Sequence, residues 1–118
     1  MIRAVDARTT ADTKKFVKEE LRRIDKAVQY SAEYSETNTI HNFSKNQNLV
    51  GIARIAASLY RLGYSVKINV YPSRIGMNID WSLEDVLIPD VVAHDDANQK
   101  AGHLAELLDK ELEDEEEL

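Results

Sequence analysis

The sequence predicts an α+β fold, α/β-like in its order α-β-α-β-β, followed by an acidic helix at the C-terminus. Two hydrophobic patterns carry this prediction. Apolar residues recur every three or four positions in three segments, and every second position in two others. A strand, a helix and a strand in succession favour a right-handed parallel crossover. We therefore expect a small three-stranded mixed sheet with both core helices on one face.

The first helix is predicted from Thr9 or Thr10 to about Tyr34, with Thr9 as its N-cap. Its apolar positions are spaced by four, three and four residues: Val17, Leu21, Ile24 and Val28. The opposite side carries a basic stripe at helical spacing: Lys15, Lys18, Arg22 and Lys26. Because acidic residues interrupt this stripe, a solvated surface is favoured over a track for phosphate groups.

A short strand is predicted over residues 37–43, and its composition leaves the register open. The second helix follows the polar residues 44–48 and is more apolar than the first, so it should be the buried one. Gly63 stands where a left-handed residue ends such a helix. Tyr64 follows in position for the hydrophobic contact that closes this kind of end.

Residues 64–70 and 75–81 alternate apolar and polar side chains around the turn Pro72-Ser73-Arg74, the pattern of a β-hairpin. The alternation assigns Tyr64 and Trp81 to the core. Its polar side should face solvent or a partner: Lys67, Asn69, Asn78 and Asp80. Tyr71 and Arg74, at the turn, are expected to be exposed together, and we take them as candidate partner-binding residues.

The segment 83–92 is too apolar for a free linker, so we expect it to pack along the sheet or its edge. Asp95 or Asp96 can cap the last helix. We predict an α/β domain over residues 1–92 and an acidic amphipathic arm over residues 93–118. Beyond Leu112 the arm should fray, because clustered acidic residues oppose the helix dipole at a C-terminus.

The arm carries an apolar stripe that must be covered by the chain's own sheet, by a partner or by a second copy. Four leucines of this stripe are candidate partner-binding residues: Leu104, Leu107, Leu108 and Leu112. We predict a protein partner and a homodimer. Repulsion between the acidic ends disfavours a parallel pair, so an antiparallel or domain-swapped dimer is expected.

The net charge of −6 hides a division along the chain. Residues 1–82 hold 13 Lys and Arg against 8 Asp and Glu, a net charge of +5. Residues 83–118 hold 2 against 13, a net charge of −11. Such an acidic segment can shield its own basic body, repel nucleic acid or attract a basic partner.

The residue types argue against most catalytic chemistry. The chain has no cysteine, which excludes disulfides and cysteine-ligated metal sites. Its three histidines lack a second ligand at metal spacing, and the glycines form no phosphate loop. We therefore expect no enzyme activity, no cofactor and no metal. The N-terminus lacks the apolar segment of a signal peptide, and no apolar run is long enough to span a membrane, so we expect a cytoplasmic protein.

Two segments resemble a known group of proteins. The segment Leu59-Tyr60-Arg61-Leu62-Gly63-Tyr64-Ser65-Val66, followed by Ile79-Asp80-Trp81, is similar to the helix and two strands of many small accessory proteins of tailed bacteriophages. A charged helix, here Lys14 to Val28, also precedes them. The resemblance covers residues 1–82, and the acidic arm departs from it. It implies a viral origin and binding of a host or defence component in the host cytoplasm, and it supplies no catalytic residues.

These observations lead to a non-enzymatic protein that binds a macromolecule, with the arm as the contact and inhibition of that macromolecule as one outcome. Two alternatives stay open. One is a nucleic-acid-binding module that uses the basic stripe while the acidic tail inhibits it. The other is a small-ligand-binding protein.

Overall fold

The computed structural model describes residues 3–44, 48–82 and 88–116. Its elements in chain order are α1 (Ala4–Glu33), β1 (Asn38–Ser44), α2 (Leu49–Arg61), β2 (Ser65–Val70), β3 (Arg74–Asp80), β4 (Asp90–Ala93) and α3 (Asn98–Glu116). This confirms the predicted α+β class and the order of its core. No helix in the described ranges is long and apolar enough to cross a membrane.

The sheet has four strands in the order β1-β3-β2-β4, one more than predicted. The extra strand, β4, comes from the end of the apolar segment that was expected along the sheet edge, and it pairs parallel to β2. β3 is antiparallel to both β1 and β2. β1 and β2 are therefore parallel to each other, as a crossover requires, but β3 lies between them.

One face of the sheet is buried and the other is open. The buried face carries Val66, Ile68 and Val70 of β2, Ile75, Met77 and Ile79 of β3, and Phe43 of β1. All three helices contact this sheet or one another on that face, as predicted for the helices of the core. Ile40 lies on the open face and is 65% exposed, which settles the register that the sequence left open.

The C-terminal end of α2 has the predicted cap, and its N-cap is the last residue of the polar segment 44–48. Asn48 Oδ1 accepts a hydrogen bond from the Gly51 backbone N–H at 3.1 Å. At the other end Gly63 has φ 98°, and its N–H donates to the Tyr60 carbonyl at 3.0 Å. The Tyr64 N–H donates to the Leu59 carbonyl at 3.1 Å. These two bonds form the Schellman motif that Gly63 makes possible.

Two predicted helix starts are wrong. α1 begins at Ala4 with Arg3 as its N-cap, more than one turn before Thr9, because Ala4, Ala7 and Arg8 are good helix formers. α3 begins at Asn98, so neither Asp95 nor Asp96 directly precedes it. Asp95 instead has a left-handed φ of 54°, outside the extended range of an N-cap.

Buried polar contacts fix α1 to the rest of the fold. Glu20, which is 8% exposed, places Oε2 2.6 Å from His41 Nε2 of β1. Thr13, which is 4% exposed, accepts a hydrogen bond from Asn48 Nδ2 at 2.7 Å. Since one contact reaches β1 and the other the start of α2, they hold α1 in register with both elements.

The helix α3 packs on the body of its own chain. Leu104 and Leu108 are 0% and 2% exposed and belong to the same core as the sheet. Glu111 Oε1 pairs with Arg54 Nε of α2 at 3.2 Å. The predicted domain boundary between residues 92 and 93 falls inside β4. The backbone of α3 is helical to Glu116, and fraying of the acidic end stays a prediction.

Replacing Leu104 by alanine should lower the free energy of unfolding by about 2–5 kcal/mol, because a buried leucine leaves a cavity. Leu107→Ala is the matched control on the same helix. Because Leu107 is only half-buried, this variant should lower the free energy of unfolding by a clearly smaller amount. Urea denaturation followed by circular dichroism measures both. Equal small losses would show that α3 does not belong to the cooperative fold.

Replacing the helical glycines Gly51 and Gly102 by alanine should change the stability of the protein in opposite directions. A Cβ at Gly51 would overlap the Phe16 ring, whereas at Gly102 nothing lies within 4 Å of the added Cβ. Alanine favours a helix over glycine by about 1 kcal/mol. We expect Gly102→Ala to raise the melting temperature, and Gly51→Ala to lower it because the Phe16 ring must move. A rise in both variants would contradict the close approach of α1 to α2.

Candidate functional site

An open cleft lies between α1 and the C-terminal end of α2. One part has a volume of about 390 Å³ and is lined by Val28, Ala32, Leu62, Gly63, Tyr64 and Trp81. A neighbouring part of about 220 Å³ shares Val28, Leu62 and Tyr64 and adds Leu21, Ile24, Asp25 and Leu59. We call the two parts together the aromatic cleft. The larger part has room for a few side chains of a partner and lies at the lower end of the roughly 300–1,000 Å³ of small-molecule sites.

The aromatic cleft is built from one helix end and two strand ends. The Schellman motif at Gly63 ends α2 and turns the chain, so that Tyr64 lies immediately before β2. Trp81 follows β3, and its backbone N–H donates to the Thr37 carbonyl at 2.9 Å. The Tyr64 and Trp81 rings meet edge to face, with centroids 6.2 Å apart and an interplanar angle of 86°. This aromatic contact is a favourable geometry that orients both rings.

The cleft leaves apolar groups in contact with solvent. Leu62 is 74% exposed. Tyr64 and Trp81 are half-buried, although the alternation of the hairpin assigned both to the core. The assignment is wrong for Trp81 because β3 ends at Asp80, so the tryptophan lies beyond the paired strand. Tyr64 does pack against the core but also lines the cleft.

Only one charged side chain, Asp25, lines the described cleft. Its Oδ2 accepts a hydrogen bond from Gln29 Nε2 at 2.9 Å, so the carboxylate already has one donor. The remaining lining consists of aliphatic groups, two aromatic rings and a glycine. Tryptophan and tyrosine are the residues most often found at the energetic centre of protein interfaces. The surface therefore suits apolar side chains of a partner.

The open face of the sheet has a different character. As predicted, the polar hairpin residues Lys67, Asn69, Asn78 and Asp80 lie on this face. A shallow groove there is lined by Ser65, Val66, Lys67, Asn78, Asp80, Ile88 and Asp90. The hydroxyl and backbone N–H of Ser82 donate to Asp80 Oδ1 at 2.6 and 2.7 Å, and these bonds lower the pKa of Asp80. Charges of both signs therefore lie side by side on this face.

The two predicted turn residues do meet. The Arg74 guanidinium lies 4.4 Å from the centroid of the Tyr71 ring. The His94 ring also stacks on Tyr71, with centroids 4.5 Å apart, and its Nε2 lies 3.1 Å from Asn69 Oδ1. Sequence reasoning did not place His94 beside Tyr71, because the two residues meet only through the parallel pairing of β4 with β2. Arg74 is exposed while Tyr71 is half-buried among these neighbours.

The four predicted leucines of α3 do not form one exposed surface. Leu104 and Leu108 are buried in the chain's own core, and Leu107 and Leu112 are half-buried. Tyr71 and Arg74 lie on the opposite side of the sheet, so the predicted set divides between two places. Binding of a partner by these residues stays a prediction.

Comparisons with protein-family models, with curated proteins and with solved structures find no match. Within the described residues, no group of three histidine, aspartate or glutamate side chains could hold a metal ion. The surfaces of the chain itself are therefore what can indicate a function, and the aromatic cleft is an apolar one whose described lining holds a single charged side chain.

Trp81 is the single tryptophan of the chain, so fluorescence excited selectively at tryptophan, and not at the five tyrosines, reports on the cleft. We expect acrylamide to quench it with an efficiency between that of a free and that of a buried tryptophan. Leu62→Ala should increase the quenching, because Leu62 lines the same cleft. Ile88→Ala, which removes an equally exposed side chain elsewhere, should leave it unchanged. A fully protected Trp81 in the unchanged protein would contradict an open cleft.

Proposed function

We propose that this chain is a non-enzymatic accessory protein that binds a protein partner, with the aromatic cleft as its contact surface. The observation that carries the proposal is the grouping of Leu62, Tyr64 and Trp81 in one open cleft. An exposed leucine beside two half-buried aromatic rings does little for the chain's own stability. An apolar side chain of a partner would bury these groups and gain free energy from doing so.

The phage-type resemblance supports the same surface. The residues that carry it, 59–66 and 79–81, include five that line the cleft: Leu59, Leu62, Gly63, Tyr64 and Trp81. By this resemblance the partner is a host or defence component, and binding would inhibit it. The proposal shifts the contact from the arm to the cleft, because two leucines of the arm already serve the core.

Nucleic acid is a weaker candidate for the partner. The basic stripe on α1 is exposed, but the open sheet face mixes both charge signs and the cleft is apolar. Binding of a polyanion such as nucleic acid requires a surface of predominantly positive charge. In addition, the contacts of α3 are with α2, β4 and β2, so within the described residues the acidic helix does not cover the stripe on α1.

A small ligand is the third candidate, and one observation favours it. Asn78 Oδ1, on the open face, is buried without a hydrogen-bond partner in the described part of the chain. Such an atom loses its bond to water on folding, and a donor from a ligand could restore it. The groove there has a volume of about 240 Å³, at the small end for a binding site.

The test compares two variants with the unchanged protein as bait in a lysate of the host bacterium. Leu62→Glu puts a charge into the cleft, and Ile88→Glu puts the same charge at an exposed isoleucine on the open face. We expect a protein recovered by the unchanged chain and by Ile88→Glu to fall at least about tenfold with Leu62→Glu, a difference of about 1.4 kcal/mol. Quantitative mass spectrometry measures the recovery.

Two controls make the comparison decisive. Thermal unfolding must show that both variants are folded, and binding of the purified partner must quench or shift Trp81 fluorescence. Equal recovery by both variants would contradict the cleft as the contact. Recovery that disappears after nuclease treatment would instead support the nucleic-acid alternative.

A further inference from the structure

The outer edge of β1 carries backbone groups that no described strand uses. The Trp81 N–H donates to the Thr37 carbonyl, and this pair continues the register in which Asn38 opposes Asp80. In an antiparallel ladder, opposed residues alternate between pairs that exchange hydrogen bonds and pairs that do not. The backbone N–H and C=O groups of Thr39, like those of Thr37, therefore point toward β3. Asn38, Ile40 and Asn42 direct their N–H and C=O groups away from the sheet.

This edge lacks the features that prevent edge pairing. Proteins protect edge strands with charged side chains, proline or very short length. The other edge, β4, has only four residues, begins with the charged Asp90 and is preceded by Pro89, so it is of the protected type. β1 has seven residues without a proline or a carboxylate, lysine or arginine, and its Ile40 is 65% exposed. The imidazole of His41 is directed to the helix side, where it contacts Glu20.

We propose that two copies of this chain pair antiparallel through β1, with Ile40 on the two-fold axis. In this register Ile40 opposes Ile40 of the second copy, and Asn38 opposes Asn42. All three residues have their backbone groups on the outer edge, so the pair forms complete hydrogen-bonded rings. No like charges meet across the strands, and the asparagine side chains can hydrogen-bond to each other.

The helix α1 offers a second layer to the same interface. One stripe runs along it at spacings of four, three, four, three and four: Phe16, Glu20, Arg23, Ala27, Tyr30 and Tyr34. Its first two members lie over β1, where Phe16 packs 6.1 Å from the Phe43 centroid and Glu20 meets His41. Glu20 and Arg23 pair with each other, so their charges compensate within one chain.

The aromatic end of the stripe remains open. Tyr30 and Tyr34 are 64% and 65% exposed, and their rings contact each other with centroids 4.8 Å apart. Pairing of β1 with its copy brings the two α1 helices side by side on the covered face of an eight-stranded sheet. The exposed tyrosines then lie at the border of the interface, where amphipathic rings are favoured. A second copy therefore meets both hydrogen-bonding and apolar groups.

The first test is the oligomeric state of the full chain. Light scattering at ~100 μM, well above the Kd of a modest interface, should give twice the 13.4 kDa chain mass. Ile40→Lys places two like charges on the axis and should halve that mass. Ile88→Lys, at an isoleucine exposed to 69%, should remain dimeric. A monomeric unchanged chain, or a dimer that survives Ile40→Lys, would overturn the proposal.

The second test reads the register and does not depend on the stability of the lysine variant. Since the chain has no cysteine, Ile40→Cys introduces a single thiol that opposes its own copy, within the Cα separation of a disulfide. Mild oxidation should give a covalent dimer. Asn38→Cys places its two thiols about 13 Å apart and should stay monomeric on a denaturing gel. Equal cross-linking of both variants, or of neither, contradicts this register.

Discussion

The structure depends on one helix that must be buried on several sides at once. α2 contacts α1, α3 and β2, and seven of its thirteen residues are buried. Four of the seven are small and allow close approach: Gly51, which lies against the Phe16 ring, and three alanines. The other three fill the core: Ile52, Ile55 and Leu59. α1 and α3 then occupy the two flanks of α2. With three helices on one face, no further element of the described chain covers the other face.

The open face follows from this arrangement. Strands buried on one side alternate apolar and polar residues, and β2 and β3 do so along their whole length. The residues of the open face must hydrogen-bond to each other or to water. Asp80 with Ser82 and His94 with Asn69 are examples of such pairs. The hairpin residues of this surface are mostly polar, so the apolar cleft and the unpaired edge of β1 are the surfaces better suited to a protein contact.

Local patterns in the sequence predicted the parts of the fold that have local causes. The period of α2, its end at Gly63 and the alternation within residues 65–70 and 75–80 depend on neighbouring residues, and the structure confirms them. The pairing of β4 with β2 and the burial of Leu104 depend on residues far apart in the chain. The same applies to the cleft. Tyr64 and Trp81 continue the apolar alternation of β2 and β3 by one residue. That alternation does not show where the helix that covers the sheet ends.

The two proposed contacts are compatible in space. The Trp81 N–H is bonded to Thr37, just before β1, so the cleft lies at the end of the molecule where this strand begins. In an antiparallel pair centred on Ile40, the two Thr37 residues stand about 20 Å apart at opposite ends of the interface. Neither cleft would then be covered by the second copy. A dimer of this kind presents two equivalent apolar clefts facing away from each other, and a partner with two matching sites would bind it with the added strength of bivalent attachment.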